Sequence, residues 1–259
     1  MNSKLKDKLR KKKCTIGSWI SIGHPAIAEI FAKAGFEWVV IDLEHTSISI
    51  EKAGDLIRVI DLAGCAPLVR LTSNDSNLIK RIMDAGAHGI VVPSVNSVHD
   101  AEYAVSSTRY GPEGHRGVGL GRAQSYGASF DEYLAWQKVD PVVIVQIEHK
   151  DSLNDLEKIF SVAGVDGYLV GPYDLSCSMG IPGDFDNVNF KKAMKRIMEA
   201  GRNSDCPGGM HIVEPDENKL CELITEGYKL IAYSVDQRML DVSARKVFSV
   251  LSDNKLPKS

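Results

Sequence analysis

The chain has 259 residues, of which 44% are apolar and 25% charged, and a formal net charge of −3. So small a charge leaves no electrostatic footprint for a nucleic-acid or membrane-surface partner. No apolar run reaches the ~18 residues of a membrane span. The length suits one α/β barrel of roughly 250 residues, and no proline- or serine-rich linker divides it, so residues 1–259 read as one domain.

The basic run at 4–13 reads as a solvated first helix or a frayed terminus. The apolar stretch after it, 14–19, is too short and too polar for a signal-peptide core. Eight short apolar, β-branched runs then predict strands at 15–21, 38–42, 66–71, 89–93, 142–147, 167–170, 209–212 and 230–234. Helix-periodic segments separate them at 26–34, 50–63, 77–85, 97–107, 151–162, 190–203 and 215–226, and a last one lies at 236–251. Strict β/α alternation implies a parallel sheet covered by helices. The runs Trp38-Val39-Val40-Ile41 and Val142-Val143-Ile144-Val145 show no polar alternation, as expected of strands buried on both faces. Eight units favour a closed TIM barrel; an open doubly wound sheet is the structural alternative. Two stretches break the rhythm, the glycine-rich 110–126 and 181–189, and long irregular loops in compact domains are usually functional or disordered.

Cys14, Cys65, Cys177, Cys206 and Cys221 are odd in number and form no CxxC pair. This argues against a disulfide framework or zinc knuckle and suits a reducing cytosol, so the expected location is cytoplasmic.

In a TIM barrel the active site forms at the C-terminal ends of the strands. There the sequence gathers Asp42, Glu44 and His45 after the second strand, Arg70 after the third, Gln146 and Glu148 after the fifth, and Gly171, Pro172, Tyr173 and Asp174 after the sixth. Glu148 and Asp174, on adjacent strands, suit Mg²⁺ or Mn²⁺ with waters completing the shell; the bland alternative is a pair of helix-start charges. Gly171 lets a ligand approach the backbone closely, and helix N–H groups bind anions. Arg70 ends a buried strand, where its planar fork suits a carboxylate or enolate oxygen; a structural ion pair with Glu44 or Glu148 is the alternative. His45 with a carboxylate neighbour is a candidate general base. The remaining histidines have no ligand spacing and read as structural or peripheral. There is no P-loop, no GxSxG elbow, no dinucleotide fingerprint in context, and no lysine within the sixth strand for Schiff-base chemistry.

Several phrases carry a family resemblance: Gly17-Ser18-Trp19, AGFEWVVIDLEH (34–45), PLVRL (67–71), STRYGPEGHRGVG (107–119), VQIE (145–148), GVDGYLVGPYDLS (164–176) and Met179-Gly180. On these the chain resembles the HpcH/HpaI aldolases, metal-dependent pyruvate aldolases on a TIM barrel. The resemblance implies a metal (Mg²⁺ or Mn²⁺, with Co²⁺ as a third option) on Glu148 and Asp174. It pairs Gln146 with a residue that positions water beside the metal, and Arg70 with the arginine on the pyruvate oxygens. The N–H groups of Tyr173 and Asp174 match the carboxylate cradle, with Gly171 and Pro172 leading into it. His45 matches the base and Asp84 its orienting partner, supplied by a neighbouring subunit; Arg122 matches an arginine near the site, and Asp42 and Glu44 lie behind it. It further implies a 2-oxo acid and an aldehyde as partners and a homotrimer or homohexamer. Leu43 stands where close relatives often carry glycine, and Tyr173 where many carry a small residue; both bear on the aldehyde. The alternatives are an acyl-CoA lyase of the citrate-lyase β type and a non-catalytic barrel.

Overall fold

The eight strands β1 (Thr15–Ile20), β2 (Trp38–Asp42), β3 (Ala66–Arg70), β4 (Gly89–Val92), β5 (Val142–Ile147), β6 (Gly167–Val170), β7 (Gly208–Ile212) and β8 (Leu230–Val235) pair in chain order, all parallel, in a computed structural model that describes residues 4–253. β8 returns to pair with β1, through Thr15 opposite Leu230, so the barrel is closed and the open sheet is excluded. Among the described residues eleven α-helices accompany them: α1 (Lys4–Arg10), α2 (Pro25–Lys33), α3 (Ile50–Leu62), α4 (Ser76–Asp84), α5 (Val98–Thr108), α6 (Phe130–Val139), α7 (Leu156–Phe160), α8 (Pro172–Ser178), α9 (Val188–Asn203), α10 (Glu217–Glu226) and α11 (Asp236–Asp253). Helix starts are fixed by side-chain caps: Ser49, Asp75, Ser97 and Asp216 each accept a backbone N–H of the first turn.

Because side chains alternate across a strand, inward residues stack in layers inside the barrel. Trp38, Val40, Ala66, Leu68, Val91, Val142, Ile144, Leu169, Leu230 and Ala232 form one inner cluster with Trp19. Gly17 belongs to this packing: a Cβ there would stand 2.1 Å from the Trp38 indole, so the glycine makes the space that the ring fills. The layer above it comes from the odd strands, through Trp19, Arg70, Gln146 and His211. There the packed core ends and a cavity begins.

Helix α1 departs from the expected solvated helix. Leu5 and Leu9 join the inner cluster and close the barrel's floor. Lys6 is buried, with Nζ 2.6 Å from the Pro141 carbonyl and 2.8 Å from Asp166 Oδ2. Helix α6 has no counterpart among the expected helices; it buries Tyr133, Trp136 and Gln137. The helix expected at 151–162 is broken into a 3₁₀ turn (Lys150–Asn154) and α7, with Asp155 at φ −127°, ψ 22° between them. All five cysteines are free. No helix among the described residues is long and apolar enough to cross a membrane.

Candidate active site

Arg70 leaves the end of β3 and meets Asp42 at the end of β2, its register partner. Nε donates to Asp42 Oδ1 at 2.8 Å and Nη2 to Oδ2 at 2.7 Å, a bidentate pair. Nη1 stands 3.3 Å from Glu44 Oε2, and the guanidinium lies 4.5 Å over the Trp19 ring. The ion pair weighed with Glu44 is therefore present, and the one with Glu148 is replaced by Asp42. Of the five N–H donors of arginine, these contacts occupy three. Burial pushes the Glu44 carboxyl up, and the nearby Glu148 adds to this while Arg70 opposes it.

Glu148 is buried just past β5. Its Oε1 accepts the Ser94 backbone N–H at 2.6 Å and the Ser94 hydroxyl at 3.2 Å; its Oε2 accepts Gln146 Nε2 at 2.7 Å. Gly171 lies against it, and a Cβ at that position would come within 2.8 Å of Glu148 Oε2. The other amide atom, Gln146 Oε1, is buried with no hydrogen-bond partner. Asp174, exposed in the first turn of α8, shares a cleft of about 340 Å³ with Glu148, His45, Glu44, Ser94 and Asn96. No group of three or more His, Cys, Asp or Glu side chains is arranged to hold a metal among the described residues. The fit is instead to a hard divalent cation on two carboxylates with water in the other positions. The unpaired Gln146 oxygen and the cleared space at Gly171 agree with it.

A second cavity of about 190 Å³ adjoins this cleft, sharing His45 and Asp174 with it. Its walls are Trp19, Arg70, Gln146, Leu169, Val170, Val213, His211 and the start of α8 from Gly171 to Asp174. His45 is largely exposed, with Nε2 3.8 Å from Glu44 Oε2. Tyr173 projects at the rim and meets the Phe185 ring edge-on at 4.9 Å. Leu43 is buried in the outer core, away from both cavities.

Two expected residues lie elsewhere in the chain. Asp84 ends α4, close to the N-terminal side of β4, and its Oδ1 accepts Arg116 Nη2 at 2.6 Å. Arg122 reaches Asp61 Oδ2 at 2.6 Å, beside His88, which directly precedes β4. Neither lines the two cavities. The glycine-rich loop that carries Arg122 is anchored by Arg116, whose buried guanidinium lies 4.7 Å from the Tyr110 ring and 5.4 Å from that of Tyr133.

Sequence reasoning gives Ser94, Trp19 and His211 no role in the site. A test for ligand spacing leaves His211 aside. The signal that finds it is the period of two along β7: Gly209 packs inside the barrel against Leu230 and Leu169, so His211 faces inward one layer higher. Ser94 has φ +52°, a left-handed conformation with no sequence signature in a serine.

The sequence model of the HpcH/HpaI aldolase/citrate lyase family matches residues 15–241. The chain belongs to this family of carbon–carbon lyases. It is 32% identical to 2-keto-3-deoxy-L-rhamnonate aldolase of Escherichia coli over 238 residues, 91% of this chain and 88% of that one. It is also 32% identical to 5-keto-4-deoxy-D-glucarate aldolase of Shigella dysenteriae over 246 residues, 95% of each. Among solved structures, a HpcH/HpaI aldolase/citrate lyase family protein from Burkholderia cenocepacia superposes with a TM-score of 0.91 at 32% identity, covering 97% of this chain and all of that one. Membership gives the strand-end carboxylates and Arg70 a common setting: they form the mouth of an aldolase barrel.

Proposed function

We propose that the chain is a divalent-metal-dependent aldolase that cleaves 4-hydroxy-2-oxo acids reversibly into pyruvate and an aldehyde. One observation carries this reading: the buried Glu148 carboxylate shares a cleft with Asp174 and His45, next to a cavity that holds Arg70 and the start of α8. The similarity to relatives named as keto-deoxy acid aldolases supports it.

Glu148 and Asp174 hold the cation, Mg²⁺, Mn²⁺ or Co²⁺. When bound, it supplies Lewis-acid stabilisation of negative charge on the substrate's keto oxygen. Arg70 offers that oxygen the N–H groups its carboxylate partners leave free, and Asp42 holds the fork in place. The first N–H groups of α8, at Tyr173 and Asp174, lack intrahelical acceptors and receive the substrate carboxylate. His45, at the opening of both cavities, takes the proton of the C4 hydroxyl. The C3–C4 bond then breaks: the C4 oxygen becomes the aldehyde carbonyl, and the bond's electron pair passes to C3 and the keto oxygen as pyruvate enolate. A proton delivered to C3 completes pyruvate.

The active unit is a homotrimer or homohexamer in the cytoplasm, with Asp84 and Arg122 brought to a neighbour's His45. The strong exposure of Val118 and Leu120 beside Arg122, and of Leu240, Val247 and Phe248 on α11, favours such assembly. The test is pyruvate release from a panel of 4-hydroxy-2-oxo acids, coupled to lactate dehydrogenase, with EDTA and then with added Mn²⁺. Release that EDTA abolishes and Mn²⁺ restores is expected. Release that persists in EDTA, or none from any substrate with metal bound, overturns the reading.

A further inference from the structure

The inward layer from β1, β3, β5 and β7 holds a titratable side chain that the proposed reaction does not use, His211. Bulky aliphatic side chains dominate such layers, yet here an imidazole packs tilted against Trp19, ring centroids 5.5 Å apart. It lines the cavity that contains Arg70 and the start of α8, and it is absent from the neighbouring cleft of Ser94, Asn96 and His149. His211 therefore faces the 2-oxo-acid half of the substrate, on the proposed reading.

The tautomer is fixed by its partner. Nε2 lies 3.1 Å from the Ser234 carbonyl oxygen, which only accepts, so Nε2 carries the hydrogen and Nδ1 the lone pair. Ser234 stands at φ +55°, a strained setting for a serine, at the end of β8. No hydrogen bond reaches Nδ1 among the described residues. Burial above all, and the nearby Arg70 charge, push the imidazole down to about 4, so near neutral pH it is an uncharged acceptor. Of the other walls around it, Leu169 and Val213 carry no donor, and the buried Trp19 indole N–H makes no hydrogen bond.

We propose that His211 makes this site favour a 2-oxo acid bearing a hydroxyl on C3 over pyruvate, which the same site still turns over, with Nδ1 accepting that hydroxyl. A methyl group in the same place, as in pyruvate, closes the cavity over an unpaired acceptor. A site built to hydrogen-bond a hydroxyl discriminates against the analogue lacking it, here by an expected ~10-fold or more.

The inference rests on the aldolase reading, and the experiment separates the two. Deuterium exchange at C3 of pyruvate and of 3-hydroxypyruvate is followed by proton NMR in D₂O with Mg²⁺ and no aldehyde. The wild type is expected to favour 3-hydroxypyruvate in kcat/KM by ~10-fold or more, with His211→Leu reversing the preference and His211→Asn, which retains an acceptor, restoring part of it. Exchange of both donors with a ratio that His211→Leu leaves unmoved overturns the role of His211 alone. No exchange with either donor in the wild type overturns both readings. Should the variants fail to fold, the ring-nitrogen NMR signal of wild-type Nδ1 decides. It is expected to move with 3-hydroxypyruvate and not with pyruvate; a signal equally affected by both overturns the proposal.

Discussion

Ser94, at φ +52°, turns its backbone N–H onto Glu148 Oε1 at 2.6 Å, while Gln146 holds the other oxygen at 2.7 Å. Both oxygens of this proposed cation ligand are thus held by the protein's own donors. Holding a serine in the left-handed region costs on the order of 1 kcal/mol, a local strain that the short charge-assisted bond offsets. Outer partners of a metal ligand commonly set its affinity by 10–100-fold (an approximate range). Gln146→Ala should therefore weaken Mn²⁺ binding by roughly that factor, as read by the electron paramagnetic resonance of free Mn²⁺ during titration. An unchanged dissociation constant would show that the amide does not orient Glu148.

Arg70→Lys keeps a positive charge but loses the fork. The bidentate pair with Asp42 and the stacking over Trp19 both depend on a planar guanidinium. With the proposed aldol cleavage as the assay, kcat/KM should fall about 100-fold, comparable to the loss of one preorganised donor at a developing oxyanion. Circular dichroism should remain that of the wild type. A lysine variant with nearly full activity would mean that charge alone suffices at this position.

The floor of the barrel offers a stability test independent of the reaction. Lys6 and Asp166 are both buried, 2.8 Å apart, and Asp166 Oδ2 also accepts the Val143 N–H at 2.9 Å. Burial pushes the lysine down and the aspartate up, each opposed by the other's charge. Removing one partner strands the other, at a cost of about 3–5 kcal/mol. Lys6→Met should lower the unfolding free energy in urea by that amount. Lys6→Met with Asp166→Asn should recover part of it, because the amide no longer buries an unpaired charge. Equal losses in the single and double variants would mean that the two side chains do not interact energetically.

The barrel is legible in the sequence because each strand is a short apolar run bounded by turn residues, a pattern that depends on local sequence. Glu148, Asp174 and Arg70 are legible because a strand end in this architecture already names a place. Lys6 is not, because nothing in a run of lysines tells which one turns inward; that depends on Asp166 and Pro141, more than a hundred residues away in the chain. His211 is within reach of strand periodicity, but metal-ligand spacing gives no sign of it. Asp84 and Arg122 mark the other limit. Their proposed task needs a second subunit, and within one chain they engage Arg116 and Asp61 instead.

Asp61 links that loop to the barrel's lower rim and should give stability a pH signature. Its Oδ1 lies 3.0 Å from His88 Nε2 and its Oδ2 2.6 Å from Arg122 Nη2. Burial alone raises its pKa, but the hydrogen bonds from His88 and Arg122 outweigh this and hold the carboxyl at about 2, against an ordinary 3.8. The folded chain therefore releases the proton more readily than the unfolded one. The stabilisation is fully present above the unfolded value and is lost as pH falls through the folded one. A shift of nearly two units corresponds to roughly 2 kcal/mol after allowance for a side chain still 23% exposed. Asp61→Asn should therefore be less stable than the wild type by about that amount near neutral pH. The gap should narrow as unfolding is measured at successively lower pH across the interval from 3.8 down to about 2. A gap that stays constant through this acid range would show that the His88 and Arg122 contacts do not favour the ionised form.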